Sequence, residues 1–322
     1  MRAIVSTGYG SPDVLELREI EKPTPKDDEI LIRVRATTVT TADWRARSLA
    51  MPPGFGPMGR LIFGISGPRQ PILGTELAGE VESVGKDVTR FSPGDAVFAF
   101  RGAGMGCHVE YRTMPESGAV AHKPPNLSFE EAAALSFGGT TALSFFRRAK
   151  IQPGERVLIN GASGGVGTAA VQLAKHFGAH VTGVCSTDNV ELVTSLGADR
   201  VIDYTREDFA ADGATYDIIM DTVGTIPYAR ARASLTKDGR LLTVLGGLQE
   251  LLRSPWISLS TSHRVIAGPA GGNAEDLRFL AARAEAGEFT PVIDRRYPFE
   301  EMPDAHRYVD LGHKKGNVAV LL

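Results

Sequence analysis

Cysteine is scarce in this sequence, and its scarcity limits the kinds of structure that the chain can form. Only Cys107 and Cys185 occur among 322 residues, too few for a disulfide framework or for a zinc site made of four thiolates. Such sparing use of cysteine is typical of proteins from a reducing compartment. The sequence therefore argues against a structural zinc lobe.

An excess of one charge is also missing. The chain has 35 lysines and arginines against 38 aspartates and glutamates, a formal net charge of −3, and no long run of either sign. Nucleic acids and anionic lipid surfaces are usually bound by a basic patch that this composition does not provide. We therefore expect a small-molecule partner, with no nucleic acid and no membrane.

Long hydrophobic runs are absent as well. No stretch of about 18 apolar residues predicts a helix that spans a membrane. Residues 1–5 lead directly into an alternating strand pattern, without the apolar core of a signal peptide. The expected location is the cytoplasm.

The composition that is present predicts a globular protein of about two domains. At 43% hydrophobic and 23% charged residues, a chain of 322 residues can bury a large core. Residues 1–122 form short strand-like segments separated by Gly and Pro, which predicts a mainly β domain. Helical spacing begins at Ser128 and extends through Ala149.

From Arg156 onward, apolar strand runs alternate with helical stretches. This alternation predicts right-handed crossovers and a parallel, doubly wound α/β sheet. The predicted strands are 157–160, 181–185, 201–203, 217–221 and 241–245, with helices near 165–177 and 190–196.

A segment at 51–69 interrupts the β pattern of the first part. It is rich in Pro and Gly, yet it carries seven large apolar side chains, too many for a solvated linker. Long loops of this kind often cover a functional site. The segment is a candidate pocket lid, with a dimer contact or a structural loop as alternatives.

The strongest chemical signal is a glycine-rich turn between a buried strand and a helix, Asn-Gly-Ala-Ser-Gly-Gly-Val-Gly at 160–167. In dinucleotide-binding folds, three glycines make the tight turn, admit the pyrophosphate and allow close helix packing. Ala162, Gly164 and Gly167 occupy these places, and Gly161 supplies freedom at the turn. A turn that merely packs tightly is the alternative, but the strand before it and the alternating units after it favour dinucleotide binding.

The end of the next strand bears on which dinucleotide binds. NAD enzymes usually place an acidic residue there to hold the ribose 2′-hydroxyl, whereas this chain has Cys185, Ser186 and Thr187. Two hydroxyl groups can donate to a 2′-phosphate, which favours NADP(H). Asp188 is unfavourable for a phosphate and is alternatively a helix cap with Glu191, while Arg206 could supply a positive charge.

Taken together, these segments resemble the medium-chain dehydrogenase/reductase superfamily, and within it the zinc-independent, quinone oxidoreductase-like branch. The resemblance extends over essentially the whole chain. Besides the glycine turn, it is carried by Gly-Thr-Glu-Leu-Ala-Gly-Glu-Val at 74–81, Phe-Ser-Pro-Gly-Asp-Ala-Val at 91–97, Thr-Ala-Leu at 141–143, Leu-Gly-Ala-Asp at 196–199 and Gly-His-Lys-Lys-Gly-Asn-Val at 312–318.

The resemblance implies a GroES-like, mainly β catalytic domain made from 1–123 and 270–322. It also implies a Rossmann NADP(H)-binding domain at 124–269, an active cleft between the two domains, and a homodimer. Zinc-dependent relatives carry metal ligands where this chain has 38–41 (Thr-Val-Thr-Thr) and Thr75. Threonine does not replace a ligand in a tetrahedral nitrogen and sulfur site, so no metal is expected.

The family pattern also implies a set of cofactor contacts. The pyrophosphate half is assigned to Ser163, Gly164, Gly165, Val166 and Gly167, and the adenosine ribose phosphate to Ser186, Thr187 and Tyr204. The nicotinamide half is assigned to Thr141, Val223, Gly246 and Gly247.

No catalytic acid is evident in the sequence. Asp43, Trp44 and Thr40 are candidates because they fall where the family builds its substrate pocket. Alternatively, Asp43 caps the following helix and Trp44 belongs to the core, and His108 is a further donor candidate or an ordinary loop histidine. Cys185 is expected to be a small buried hydrophobic residue.

The function implied by the resemblance is an NADPH-dependent, metal-free transfer of a hydride to a quinone or an α,β-unsaturated carbonyl. A metal-free NADP-dependent alcohol or carbonyl oxidoreductase is one alternative. A non-catalytic NADPH-binding module is the other.

Overall fold

The computed structural model describes residues 1–211 and 213–322, which form two compact units. The first comprises Met1–Met51, Gly56–Thr140 and Gly272–Leu322, and the second comprises Pro52–Phe55 and Thr141–Gly271. The units divide after Thr140, whereas the sequence predicts a domain boundary after residue 123. The difference arises because the helix Phe129–Ala134 packs on strands of the first unit.

Within the described residues, the strands are β1 (Arg2–Ser6), β2 (Leu15–Glu19), β3 (Glu29–Val39), β4 (Glu76–Val84), β5 (Ala96–Phe100), β6 (Tyr111–Pro115), β7 (Val120–His122), β8 (Arg156–Asn160), β9 (His180–Cys185), β10 (Arg200–Asp203), β11 (Tyr216–Asp221), β12 (Leu235–Thr243), β13 (Arg264–Ala267), β14 (Ile293–Pro298) and β15 (Asn317–Leu321). The helices are α1 (Thr41–Ser48), α2 (Gly56–Phe63), α3 (Phe129–Ala134), α4 (Ser136–Ala149), α5 (Gly165–His176), α6 (Val190–Ser195), α7 (Tyr228–Ala231), α8 (Leu248–Ser260), α9 (Ala274–Glu285) and α10 (Met302–Asp310).

The second unit is built on a six-stranded parallel sheet with the order β10-β9-β8-β11-β12-β13. If β8 is counted as the first strand, this is the order 3-2-1-4-5-6 of the doubly wound fold. In that fold successive strands are first added on one side of the first strand and then on its other side. Leu158, Ile202, Ile219 and Leu241 from four of the strands are buried together in its core. The predicted α/β class with a parallel sheet is confirmed.

The first unit is mainly β and is assembled from both ends of the chain. Its seven-stranded sheet runs β14-β15-β3-β4-β5-β7, with β6 also paired to β3, and only β14 and β15 are parallel. The last strand therefore lies beside β3, and Ile30, Ile32, Leu77 and Val97 fill the core beneath. The mainly β part of the predicted fold is confirmed.

Several elements differ from the predicted pattern, and among them β12 begins at Leu235 where the sequence predicts a strand at 241–245. The segment 51–69 contains helix α2, in which Met58, Leu61 and Ile62 recur at helical spacing despite the flanking Pro and Gly. The sequence does not predict helix α8, because the internal Pro255 interrupts the helical pattern. It does not predict β13 either, because this strand has only four residues. Over the described residues, no helix combines the length and the apolar character needed to cross a lipid bilayer.

Candidate functional site

Most of the residues predicted to bind the cofactor lie at one edge of the parallel sheet. Ser163–Gly167 follow β8, Ser186 and Thr187 follow β9, and Tyr204 follows β10. Val223 follows β11, and Gly246 and Gly247 follow β12. Thr141 lies apart from the strand ends, buried in helix α4. Ligands of doubly wound sheets bind outside the carboxyl ends of the strands, where the strand order reverses.

The glycine turn after β8 depends on two of its glycines for its shape. Gly161 has a φ of +77°, a left-handed conformation that favours glycine. At Gly167, an added Cβ would lie 2.0 Å from the carbonyl oxygen of Gly161, so this position admits no side chain. Helix α5 can therefore begin close against the turn.

Gly164 has a different role in the same turn. It is the N-cap of α5, with φ −78° and ψ 174°, and no side chain caps the helix there. An added Cβ would meet only the Gly161 carbonyl, at 3.5 Å, so the space above Gly164 is open. An open glycine before a helix of 12 residues, whose first amides have no intrahelical partners, fits a pyrophosphate group.

Polar residues at the ends of β8 and β11 join the neighbouring loops, a role that the sequence pattern does not predict. The amide of Asn160 donates to Asp221 at 2.9 Å and to Thr225 at 2.9 Å. The buried Asp221 carboxylate also accepts from the backbone N–H groups of Val223, at 3.0 Å, and Ile226, at 2.7 Å. These hydrogen bonds hold the loop after β11 in place beside the glycine turn. The available signal was a polar residue closing each apolar strand.

The loops at this edge also contact one another directly. A Cβ on Gly161 would lie 2.4 Å from Val223, and one on Gly224 would lie 2.7 Å from the carbonyl oxygen of Leu245. The structure thus brings together the predicted pyrophosphate turn, the β11 loop and the end of β12.

Gly246 and Gly247 lie immediately before helix α8, where they meet part of the predicted lid. The N–H of Leu248 donates to the carbonyl of Pro53 at 2.9 Å, and a Cβ on Gly247 would lie 3.0 Å from the same oxygen. The segment Pro52–Phe55 is therefore fastened to the second unit at a predicted cofactor residue.

The sequence predicts that the hydroxyl groups of Ser186 and Thr187, after β9, are both available to a phosphate, but in the structure Thr187 is already hydrogen-bonded. Thr187 donates to Asp203 at 2.5 Å, and that hydrogen bond lowers the pKa of the Asp203 carboxyl. Arg206 lies 3.3 Å from the same carboxylate. The cap predicted at Asp188 falls at Asn189 instead, because residues 187–189 form a 3₁₀ turn.

Asp43 and Thr40, in the first unit, are placed by a capping box on helix α1. Asp43 accepts from the Thr40 N–H at 2.8 Å and from its hydroxyl at 2.6 Å, and it also accepts from the Gly74 N–H at 2.8 Å. Asp43 is fully buried, while Trp44 is half-buried against the core. These contacts describe a structural role for Asp43.

Glu76 is a buried carboxyl in the same unit. It accepts short hydrogen bonds from the Thr38 hydroxyl and the Phe137 N–H. Burial raises its pKa to about 8 despite these two donors. Within the described residues, the hydroxyls of Thr75 and Ser136 are buried without a hydrogen-bond partner.

The positions of zinc ligands in zinc-dependent relatives do not fit a metal here. Thr75 is buried but offers only a hydroxyl, and Thr38 is engaged with Glu76. Among the residues that the structure describes, no group of three His, Cys, Asp or Glu side chains could hold a metal ion. This donor set does not suit zinc.

A buried basic cluster links β3, α1 and α10. His108 Nε2 lies 3.0 Å from the Thr38 carbonyl, which makes this nitrogen the donor. The rings of His108 and His306 meet edge to face, with centroids 5.8 Å apart, and Arg47 donates to His306 Nδ1 at 3.3 Å. Arg47 also pairs with Asp310 and donates to the Gly10 carbonyl. Burial lowers the pKa of both histidines.

The two cysteines are buried and reduced. Burial raises the pKa of Cys107 to about 12 and that of Cys185 to about 11. Neither thiol is therefore a ready thiolate nucleophile.

Comparisons with known proteins identify related domains and related chains. Residues 26–125 match the alcohol dehydrogenase GroES-like domain, and residues 196–320 match a zinc-binding dehydrogenase domain. The chain is 33% identical to a chloroplastic quinone oxidoreductase of Triphysaria versicolor, over 99% of this chain and 98% of that protein.

Two further relatives extend the comparison. The chain is 34% identical to the 2-methylene-furan-3-one reductase of Solanum lycopersicum, over 99% of this chain and 79% of that protein. Among solved structures, a quinone oxidoreductase from Coxiella burnetii superposes with a TM-score of 0.88 at 27% identity, covering 100% of this chain and 99% of that one.

Proposed function

Because the chain belongs to the quinone oxidoreductase-like branch of the medium-chain dehydrogenase/reductase superfamily, we propose that it is an NADPH-dependent reductase of quinones or α,β-unsaturated carbonyls. The reaction proposed is a hydride transfer that uses no metal. The observation that carries the proposal is the glycine turn between β8 and α5, with its open position at Gly164 and its closed position at Gly167.

We propose that the chain's own residues bind and orient the cofactor along the carboxyl edge of the sheet. The first amides of α5, beside Gly164, hold the pyrophosphate, and the helix dipole favours its negative charge. Ser186, Thr187 and Tyr204 contact the adenosine ribose phosphate. Thr141, Val223, Gly246 and Gly247 contact the nicotinamide half, which supplies the hydride when the cofactor is bound.

The side chains available at the ligand positions support a metal-free reaction. Thr75 and Thr38 provide hydroxyls, one buried and one bonded to Glu76, in place of thiolates or imidazoles. A quinone or an enone is already electrophilic and accepts a hydride without a Lewis acid. Two of the relatives are named a quinone oxidoreductase and a 2-methylene-furan-3-one reductase, which supports these two acceptor classes.

Water is the proposed proton source. Both carboxylate oxygens of Asp43 already accept hydrogen bonds inside the first unit, and Glu76 is fully buried. Neither group is free to act as a general acid without giving up its structural contacts.

The remaining features that the family resemblance implies are a homodimer, a GroES-like domain of residues 1–123 and 270–322, and a Rossmann domain of residues 124–269. The proposed cytoplasmic location is the expectation from the sequence, not from the family.

The proposal is tested by anaerobic consumption of NADPH, with NADH in parallel, against quinones, 2-enals and simple ketones in the presence of a chelator. We expect turnover with quinones or enals, a preference for NADPH, and no effect of the chelator. Turnover with ketones alone would identify a carbonyl reductase. Binding of NADPH without turnover would identify a binding module, and loss of activity on chelation would overturn the metal-free reaction.

A further inference from the structure

We propose that Asp203 sets the cofactor selectivity of this protein by competing with the 2′-phosphate of NADPH for Thr187 and Arg206. The competition keeps the preference for NADPH over NADH small. The inference rests on the proposed function, because it concerns the adenosine end of the same cofactor site.

The position of Asp203 follows from the strand register. Asp203 is the last residue of β10, and it lies opposite Cys185, the last residue of β9, in the parallel ladder. An acidic residue at the end of the second strand is the usual partner of the ribose 2′-hydroxyl in NAD enzymes. In this protein the second strand, β9, ends at Cys185 without an acidic residue. The neighbouring strand β10 places the Asp203 carboxylate directly beside that end.

Asp203 already uses the hydroxyl proton of Thr187. Thr187 Oγ1 donates to Asp203 Oδ2 at 2.5 Å, and Thr205 donates to the other carboxylate oxygen through its N–H, at 3.0 Å, and its hydroxyl, at 2.7 Å. A hydroxyl has only one proton to donate. Thr187 can therefore serve a phosphate only by leaving Asp203.

Ser186 stands in contrast to Thr187. Its oxygen accepts a hydrogen bond from the side-chain amide of Asn189 at 2.9 Å, which leaves the Ser186 proton available to donate. The adenosine end of the site thus offers one available hydroxyl and one that is held.

Arg206 is the cation that Asp203 shares with this site. Its Nε lies 3.3 Å from Asp203 Oδ2, and 74% of its side chain is exposed. An exposed pair with a single contact is weak, so the guanidinium can turn toward a phosphate. The Asp203 carboxylate, which is only 12% exposed, stays behind as a nearby negative charge that opposes the phosphate.

The test measures binding of cofactor fragments and needs no turnover. Adenosine 2′,5′-bisphosphate and adenosine 5′-monophosphate are titrated into the wild type and into Asp203→Asn by calorimetry. The variant is expected to bind the bisphosphate about tenfold more tightly, because one opposing charge is gone and Thr187 is released. Its affinity for the monophosphate should change less than about twofold, because that fragment lacks the 2′-phosphate that Asp203 opposes.

Asp208→Asn is the matched control. Asp208 also pairs with an exposed arginine, Arg230, at 3.0 Å, so its removal changes the net charge equally without touching the β9 end. The gain in Asp203→Asn should disappear when Arg206→Gln is added to it. Thermal melts of all variants check that the fold is retained.

The outcomes separate the two proposals. If the wild type binds neither fragment, the proposed cofactor site fails, and this inference fails with it. If both fragments bind and Asp203→Asn leaves their affinity ratio unchanged, or if Asp208→Asn changes the ratio as much, the role of Asp203 is overturned while the proposed function stands.

Discussion

At the scale of single residues, two glycines of one turn have separable tasks. Gly167 has no room for a side chain because its Cβ would meet the Gly161 carbonyl, while Gly164 has room and an ordinary φ. Gly167 therefore supports the fold, and Gly164 leaves space for the pyrophosphate that we propose.

Substitution by alanine should separate these tasks. Gly167→Ala is expected to lower the free energy of unfolding by about 3 kcal/mol, because a backbone oxygen must move to admit the methyl group. Gly164→Ala should cost less than about 1 kcal/mol, yet weaken NADPH binding by about tenfold or more because the methyl group occupies the open face. Denaturant unfolding and fluorescence titration check both values. A stable Gly164→Ala variant with full affinity would contradict the assigned role.

At the scale of secondary-structure elements, helices α1 and α3 begin with the same capping box in different surroundings. Asp43 is the third residue of α1 and is buried with three hydrogen bonds, one of them from Gly74. Glu131 has the equivalent place in α3 and is half-buried. The box in α1 therefore also joins the helix to the segment before β4.

The two boxes predict different losses of stability. Asp43→Ala should lower the free energy of unfolding by about 3 kcal/mol, because it leaves three buried donors without an acceptor. Glu131→Ala should cost about 1 kcal/mol, since water can reach the freed N–H. Urea unfolding measures both. In the same variants, the pH profile of the proposed quinone reduction should keep its shape, and a profile altered only in Asp43→Ala would restore Asp43 as a catalytic candidate.

At the scale of the whole molecule, the first unit joins the two ends of the chain through buried ionisable groups. Arg47 connects the carbonyl of Gly10 with Asp310 and His306 of α10, and Glu76 connects β4 with β3 and α4. Both His306 and Glu76 are most stable uncharged, so protonation equilibria act on the assembly of this unit.

Below pH 6.5, the charging of His306 should reduce the stability of the fold, and down to pH 4.5 this loss is opposed by a gain from Glu76. Its pKa in the fold lies well below the ordinary 6.5, because burial, His108 and Arg47 all disfavour the cation. The unfolded chain then binds the proton first, and stability falls by up to about 1.4 kcal/mol per pH unit as the pH decreases. His306→Asn keeps an acceptor for Arg47 and should remove this contribution, so that the stability of the variant rises relative to the wild type as the pH decreases. Identical slopes for the two proteins would contradict the assignment.

Above pH 6.5, the fold should lose stability as the pH rises, because Glu76 then loses its proton. Its pKa is about 8 in the fold and 4.5 ordinarily, so the folded state holds the proton longer, and its stabilising contribution is lost as the pH rises from 4.5 to 8. Between pH 6.5 and 8.5 we expect a loss of about 2 kcal/mol in the wild type. Glu76→Gln should abolish this loss and steepen the decline on the acid side, because Glu76 opposes His306 between pH 4.5 and 6.5. His306→Asn should leave the loss above pH 6.5 unchanged. Unfolding free energies across the pH range measure both.

The sequence predicted the parts of the molecule that local pattern controls. Strands β8 to β11 and helix α5 were predicted to within about two residues, because apolar runs and glycine turns encode them without reference to distant residues. Helix α8 was not predicted, because Pro255 interrupts its helical pattern. The start of α2 was not predicted either, because Pro and Gly flank it.

By itself, the sequence determined the fold class, the glycine turn and the threonines where related enzymes have metal ligands, since each depends on residue type and local spacing. Only the tertiary structure decided that Asp203 reaches Thr187, that Asn160 and Asp221 join two loops, and that His306 meets His108 and Arg47. These groups are far apart along the chain. Their hydrogen bonds and pKa shifts arise from strand register and burial, which no local pattern encodes.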